Sequence, residues 1–396
     1  MDGTLFVAGG NKNRALDGTA ATNFFDFVTR TWRRGPNMNY ERWYPTVTPL
    51  QNGEMLITEG SQTQTFDQGV PEVREVDGRM RPLISAAYGL PLYPWMDVGP
   101  NGRVFYTGPD TTLRSLDPDG AGEWRDLGLR DDVDREYGSH AMYDVGKVLV
   151  SGGGHPATDT ARVINLKGSL PSSLPTEAMH SPRRQHNLTV LADGTVLATG
   201  GLSSDEEHVD LANAVFAGEI WDPDTGRWTT TAAEDKARQY HSTALLLPDA
   251  TVLSSGGGIC SDCDAEGYLN KDAQVFSPPY LFDKHGDLAP RPRITQAPGE
   301  VGYDEQFAVA TAGTDTIDRV ALVRLGSVTH SVNMEQRYVP LDFKTTPDGI
   351  VATSPPDADT ATPGFYMLFV MNDEGVPSVA RMVNVCLLYT SDAADE

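Results

Sequence analysis

Asp193-Gly194-Thr195-Val196-Leu197-Ala198 is a polar turn followed by an apolar strand, and the same phrase occurs six times along the chain. The other copies are Asp2-Gly3-Thr4-Leu5-Phe6-Val7, Asn52-Gly53-Glu54-Met55-Leu56-Ile57, Asn101-Gly102-Arg103-Val104-Phe105-Tyr106, Val145-Gly146-Lys147-Val148-Leu149-Val150 and Asp249-Ala250-Thr251-Val252-Leu253-Ser254. Their turn residues, at 2, 52, 101, 145, 193 and 249, recur at intervals of 50, 49, 44, 48 and 56. A period of about fifty residues, built of strands and turns, predicts a β-propeller of kelch type. An outer phrase supports it: Asp26 and Trp32, like Asp222 and Trp228, lie six residues apart, and Asp117 precedes Trp124 by seven. These tryptophans are expected to pack between blades. Eight residues before each turn stand Tyr44, Tyr93, Tyr137, Gln185 and His241, with Tyr240 one place further back. Equivalent positions in propeller blades face one axis, so the repeat gathers tyrosines and a histidine around one point.

Working outward, the repeat stops near Leu288-Ala289-Pro290-Arg291-Pro292-Arg293, a proline-rich joint. Short alternating strands follow, among them Gln306-Phe307-Ala308-Val309-Ala310 and Gly364-Phe365-Tyr366-Met367-Leu368-Phe369-Val370, separated by turns such as Pro347-Asp348-Gly349. That pattern predicts an immunoglobulin-like sandwich. The expected architecture is therefore all-β: a seven-bladed kelch-type β-propeller over residues 1–289, its first blade incomplete, then an Ig-like β-sandwich over 290–385. Residues 386–396, Cys386-Leu387-Leu388-Tyr389-Thr390-Ser391-Asp392-Ala393-Ala394-Asp395-Glu396, continue no strand pattern. They resemble the translation of a sequencing-library adaptor and are set apart from the fold. Met1 directly precedes a turn, so the chain is read as starting inside a longer protein whose signal peptide and early strand are lost.

Composition narrows the function. With 31 Lys and Arg against 55 Asp and Glu, the net charge of −24 argues against nucleic acid as a partner. No run of eighteen apolar residues exists, so no membrane span is expected. Cys260 and Cys263 form a C-x-x-C, with no second pair or histidines at zinc spacing. A local disulfide is the expected state, and with it an extracellular, secreted location.

The adjacent pair Tyr240-His241 and the register-matched Tyr44 are the first candidates for chemistry. Adjacent strand side chains face opposite ways, so both members of the pair reach one site only where a strand begins or is bulged. Imidazoles suit copper, zinc, iron or nickel. The plainer alternative is that these rings fill the propeller channel. Arg42, His140 and His186 lie near inner-strand starts and are candidates for lining a substrate channel. Arg42, Arg183 and Arg184 could bind an oxygen-rich substrate, with a salt bridge as the default in so acidic a protein. His155, after Gly152-Gly153-Gly154, has no evident partner in the sequence.

Taken together, several motifs resemble one family. Ala237-Arg238-Gln239-Tyr240-His241-Ser242, followed by Gly256-Gly257-Gly258 and Cys260-x-x-Cys263, is similar to the tyrosine-histidine motif of the galactose oxidase and glyoxal oxidase family, the copper-radical oxidases. Val328-Thr329-His330-Ser331-Val332-Asn333-Met334-Glu335-Gln336-Arg337 resembles the family's second histidine motif, and Phe276-Ser277-Pro278-Pro279-Tyr280-Leu281 matches as well. The resemblance implies one copper ion held by Tyr44, His241 and His330, with Tyr240 axial. Tyr44 is the implied redox partner and Tyr240 the implied general base. It further implies oxidation of a small alcohol, aldehyde or carbohydrate by O2, giving H2O2, in a monomeric enzyme. Two departures stand out. The family crosslinks its redox tyrosine to a cysteine before the first Asp-Gly turn, a position upstream of Met1 here, so the fragment itself is expected to be inactive. Where galactose oxidases place a tryptophan over that crosslink, this chain has Gly60-Ser61-Gln62-Thr63, which leans toward aldehydes or small alcohols. The competing functional reading is a non-catalytic propeller that binds glycans or protein partners. A propeller glycosidase would need paired carboxylates on the axis, where the register puts tyrosines and a histidine.

Overall fold

In a computed structural model that describes residues 3–13, 15–168, 170–312 and 316–386, each phrase becomes a strand in its own antiparallel sheet. The expectation for residues 386–396 therefore falls, beyond Cys386, outside the described residues. The phrase forms for local reasons. Asp193 Oδ1 accepts the Thr195 N–H at 3.0 Å and its hydroxyl at 2.7 Å, and Asp249 holds Thr251 in the same way. Asn52 and Asn101 make the corresponding bond to Glu54 and Arg103. Such side-chain turns fix the reversal before an apolar strand. The next residue has positive φ in every copy from the second onward, and glycine fills it except at Ala250, φ 64°.

Five sheets follow one plan. In the third, Trp95–Val98, Val104–Gly108, Thr112–Asp117 and Glu123–Leu129 pair in sequence order, and the phrase strand is second. The second, fourth and fifth sheets also have four strands in sequence order, and the sixth, Ser242–Leu246, Val252–Gly256 and Ala273–Phe276, has three. The first sheet has Leu5–Ala8, Thr22–Asp26 and Thr31–Arg34, with the phrase strand at its edge. Among the described residues the six phrases thus give six sheets, where the seven-bladed expectation asked for one more. In the described residues helix is confined to single 3-10 turns at Ile84–Ala86, Leu211–Asn213 and Pro279–Leu281, and no helix is long and apolar enough to cross a membrane.

Trp124 and Trp228 reach back between sheets, donating to the carbonyls of Ala86 and Glu177 at 2.8 and 2.9 Å. Trp32 departs from the expectation. It stays 60% exposed, with Phe25 as its ring partner. Buried arginines then lock the inner ends of the blades. Arg183 donates to the carbonyls of Gly200 and Ala217 and to Glu219, joining the end of the phrase strand to the strand beside it. Arg42, Arg135 and Arg238 do the same in their own sheets.

From residue 293 two sheets interleave. Arg293–Gln296, Gln306–Ala312, Gly349–Thr353 and Phe343–Thr346 form one; Glu300–Val301, Arg381–Val385, Gly364–Asn372, Ile317–Arg324 and Tyr338–Pro340 form the other. Ile294, Val309 and Ile350 meet Leu322, Leu368 and Val370 between them. The opposite face of the second sheet, with Ala321, Val323, Met367 and Phe369, packs on Leu188, Val190 and Ala141 of the propeller sheets. Burial on both faces explains why 364–372 reads as an almost unbroken apolar run.

Candidate functional site

All five residues at the shared register adopt a left-handed backbone: Tyr44 (φ 62°), Tyr93 (51°), Tyr137 (57°), Gln185 (59°) and His241 (64°). Each stands at most two residues ahead of its sheet's first strand; Tyr44, Tyr93, Tyr137 and His241 line one cavity, whereas Gln185 is buried with its amide on the Glu207 carbonyl. Because the strand begins only at Ser242, Tyr240 and His241 escape the alternation of a regular strand, and their rings lie 3.9 Å apart.

His330 arrives from the sandwich. Val328–Thr329 and Val332–Asn333 pair as a hairpin whose two turn residues, His330 (φ 49°) and Ser331 (φ 65°), are both left-handed. That is the turn geometry that suits the twist of a tight hairpin. The hairpin and the strand after it are pinned inside the propeller. Ser139 Oγ donates to Ser331 O at 2.7 Å, Gln336 Nε2 to Leu188 O at 2.9 Å, and Val190 N–H to Gln336 Oε1 at 3.0 Å.

These elements bring four side chains together. His241 Nε2 and His330 Nε2 are 2.7 Å apart, and Tyr44 Oη lies 3.2 Å from Tyr240 Oη. The Tyr44 and His330 rings approach to 4.4 Å, and those of Tyr240 and His330 to 5.4 Å. His241 Nδ1 donates to the Gly258 carbonyl at 2.7 Å, which fixes its tautomer and leaves the Nε2 lone pair facing His330. Burial lowers the His330 pKa to about 3, with the neighbouring His241 adding to the effect, and burial also lowers that of His241. Both imidazoles are therefore neutral near pH 7, the state a metal needs. Burial raises the phenols of Tyr44 and Tyr240. Among the described residues no three His, Cys, Asp or Glu side chains converge on one point. A metal at this place would thus meet two imidazoles and two phenols, and such imidazole donors suit copper as they do zinc, iron or nickel.

The four line a cavity of about 1370 Å³ together with Tyr93, Tyr137, His208 and Met334. Arg42, His140 and His186 are 0%, 1% and 0% exposed and lie behind its wall, not in a channel. Arg42 is consumed by carbonyls and Glu72; His186 Nε2 bonds Ser151 Oγ at 2.9 Å; the His140 ring sits edge-on to Trp95. Arg42 and His186 thus bond within the blades, and His140 fills the space beside Trp95. His155 has partners after all, Glu136 at 2.6 Å and Asp205 at 2.9 Å, both supplied by distant loops. Cys260 and Cys263 form a disulfide and Cys386 is free. No cysteine stands beside Tyr44 among the described residues. Two site neighbours had no signal in the repeat. Trp43 stacks on Tyr44 at 3.8 Å and 23°, although the sequence pointed to the stretch around Gln62 for such a ring. His208 stands edge-on to Tyr240 at 4.6 Å.

With this geometry, the chain was compared with known proteins. The galactose oxidase-like early-set domain matches residues 291–385. Galactose oxidase of Gibberella zeae is 30% identical over 414 residues, covering 97% of this chain and 59% of its own length. The chain thus spans about three fifths of that relative. Aldehyde oxidase GLOX of Vitis pseudoreticulata is 29% identical over 437 residues, covering 97% of this chain and 80% of its own. The structure of a fungal alcohol oxidase of the AA5 family in complex with copper superposes with a TM-score of 0.88 at 29% identity, over 98% of this chain and 84% of that one. In fold, in its early-set domain and along nearly its whole length, the chain is similar to the galactose oxidase and glyoxal oxidase family.

Proposed function

We propose that this chain is the catalytic core of a copper-radical oxidase that converts a primary alcohol or aldehyde with O2 and releases H2O2. The observation that carries the reading is the pair of imidazole nitrogens 2.7 Å apart beside two phenol oxygens 3.2 Å apart. Tyr44, Tyr240, His241 and His330 hold the metal. Copper, when bound, supplies one-electron redox chemistry beside a phenol that can itself give up an electron.

The chain's own groups do the rest. The Gly258 carbonyl keeps His241 oriented. Tyr240, which burial alone would keep protonated, becomes a base only beside a cation. Its Oη would then take the substrate hydroxyl proton. Tyr44, once dioxygen has removed one electron and its phenol proton, would take the hydrogen atom from the substrate carbon at Oη, with copper as the acceptor of the second electron. The substrate loses two electrons and two protons, and dioxygen gains both to leave as peroxide. Trp43 covers one face of Tyr44 and Tyr93 approaches it at 4.7 Å, which limits water at the redox ring. The reading includes a crosslink between Tyr44 and a cysteine in the parent protein, other than Cys260, Cys263 and Cys386. Secretion belongs to the same proposal and rests on the disulfide.

The test is peroxide production by the copper-loaded parent protein carrying that cysteine. Oxidation of primary alcohols or aldehydes with one H2O2 per turnover, lost by at least about a hundredfold in Tyr240→Phe with copper retained, is the expected result. Full turnover in Tyr240→Phe would refute its role.

A further inference from the structure

The turn that follows the His330 hairpin puts a thioether on the cavity wall. Asn333 Oδ1 accepts the N–H groups of Ser327, Glu335 and Gln336 at 3.0, 3.3 and 3.2 Å, which fixes the backbone on both sides of Met334. Met334 is partly buried and lines the same cavity as Tyr44, His241 and His330. Its Sδ accepts the Met96 N–H at 3.1 Å. The side chain packs on two apolar clusters at once, one with Met96, Val98 and Tyr106 and the other with Trp95, Met142 and Val332. It thus wedges the segment that carries His330 against the third sheet.

The other methionines are placed differently. Met38, Met96, Met142, Met179, Met367 and Met371 are at most 4% exposed, and Met382 stands 41% exposed on a strand of the sandwich. Among the described residues Met334 is the methionine on this cavity's wall. A thioether sulfur has two lone pairs, and one of them receives the Met96 N–H. The other can attack H2O2. An S–O bond forms as the O–O bond breaks, and the released hydroxide takes the proton left on the transferred oxygen and leaves as water. Sulfur loses two electrons and the peroxide gains them. The sulfoxide is polar and one oxygen larger, and it stands between two apolar clusters four residues from His330, where added volume shifts the backbone.

We infer that Met334 is an oxidative modification site: H2O2 formed in the cavity converts its thioether to the sulfoxide, which loosens the His330 hairpin and weakens copper binding. The source of the oxidant rests on the proposed oxidase reading.

The metal-free chain is treated with dilute H2O2, and the oxidation of each methionine is followed by peptide mass spectrometry. Met334 and the surface Met382 are expected to gain an oxygen at least about tenfold faster than the buried Met96, Met142 and Met367. The Cu(II) affinity of the oxidised chain, read by titration, falls about tenfold, the low end of the effect of disturbing a support behind a metal ligand. Met334→Leu keeps the volume without the sulfur, so its Cu(II) affinity stays within about threefold of the unsubstituted chain's, before and after H2O2. In the copper-loaded parent protein carrying the crosslinking cysteine, turnover of a primary alcohol with catalase in solution oxidises Met334 and spares Met382. Oxidation of Met334 no faster than that of the buried methionines, an equal loss of Cu(II) affinity in Met334→Leu, or a Met334 left intact while H2O2 is formed overturns the inference alone. A parent protein that forms no H2O2 overturns the oxidase reading, and with it the source of the oxidant.

Discussion

A non-glycine residue held at positive φ costs on the order of 1–3 kcal/mol, and such residues persist where the surroundings over-determine them. Tyr44 and His241 are two such residues, and His330 is a third. The sequence register put Tyr44 and His241 at equivalent points, because a repeat marks position. It could not reveal the hand of the backbone, which depends on where each strand starts. Burial has a second consequence at this scale. His186 is fully buried, and its pKa falls to about 3, first by desolvation and then by the charges of Arg183 and Arg135. A depressed histidine binds fewer protons folded than unfolded, so its contribution is intact above about 6.5 and is lost as pH falls toward 3. Between pH 7 and pH 5 this one group costs about 2 kcal/mol of stability. His186→Gln should therefore lose about 2 kcal/mol less than the parent over that interval in urea unfolding; equal losses would contradict the assignment. His208 and Trp43 stayed hidden in the sequence for different reasons. His208 lies on an inter-strand loop outside the repeat, and Trp43 precedes a left-handed residue, so its stacking on Tyr44 has no periodic signature.

Among the elements, the arginine clamp and the hairpin that carries His330 do the positioning. Arg183 and Glu219 are both buried, and their ion pair joins two strands of the fifth sheet. Removing one partner of a buried pair leaves the other charge uncompensated, at a cost of about 3–5 kcal/mol. Arg183→Ala should lose that much in urea unfolding, whereas a loss below about 1 kcal/mol would show that the clamp does not bear on stability. The arginines were visible in the sequence as salt-bridge candidates, but their main partners are backbone carbonyls, which no sequence pattern displays. The hairpin shows the same limit: His330 stood out only through its motif, and the bonds to Ser139, Leu188 and Val190 that hold the hairpin come from other blades.

For the whole molecule, the all-β architecture was legible because each sheet repeats one phrase and each phrase carries its own turn chemistry. The second sheet of the sandwich was legible as strands, but its role as a floor buried against the propeller was not. An unbroken apolar run says that both faces are covered without saying by what. Through that floor the two sets of sheets bring His330 to His241, which supports the proposed copper site of Tyr44, Tyr240, His241 and His330. Titration of the purified chain with Cu(II), followed by electron paramagnetic resonance, tests it directly. One ion per chain is expected, with hyperfine coupling to two imidazole nitrogens, reduced to one in His330→Ala and again to one in His241→Ala. Two-nitrogen coupling that survives in either variant, or no stoichiometric binding by the parent chain, would contradict it.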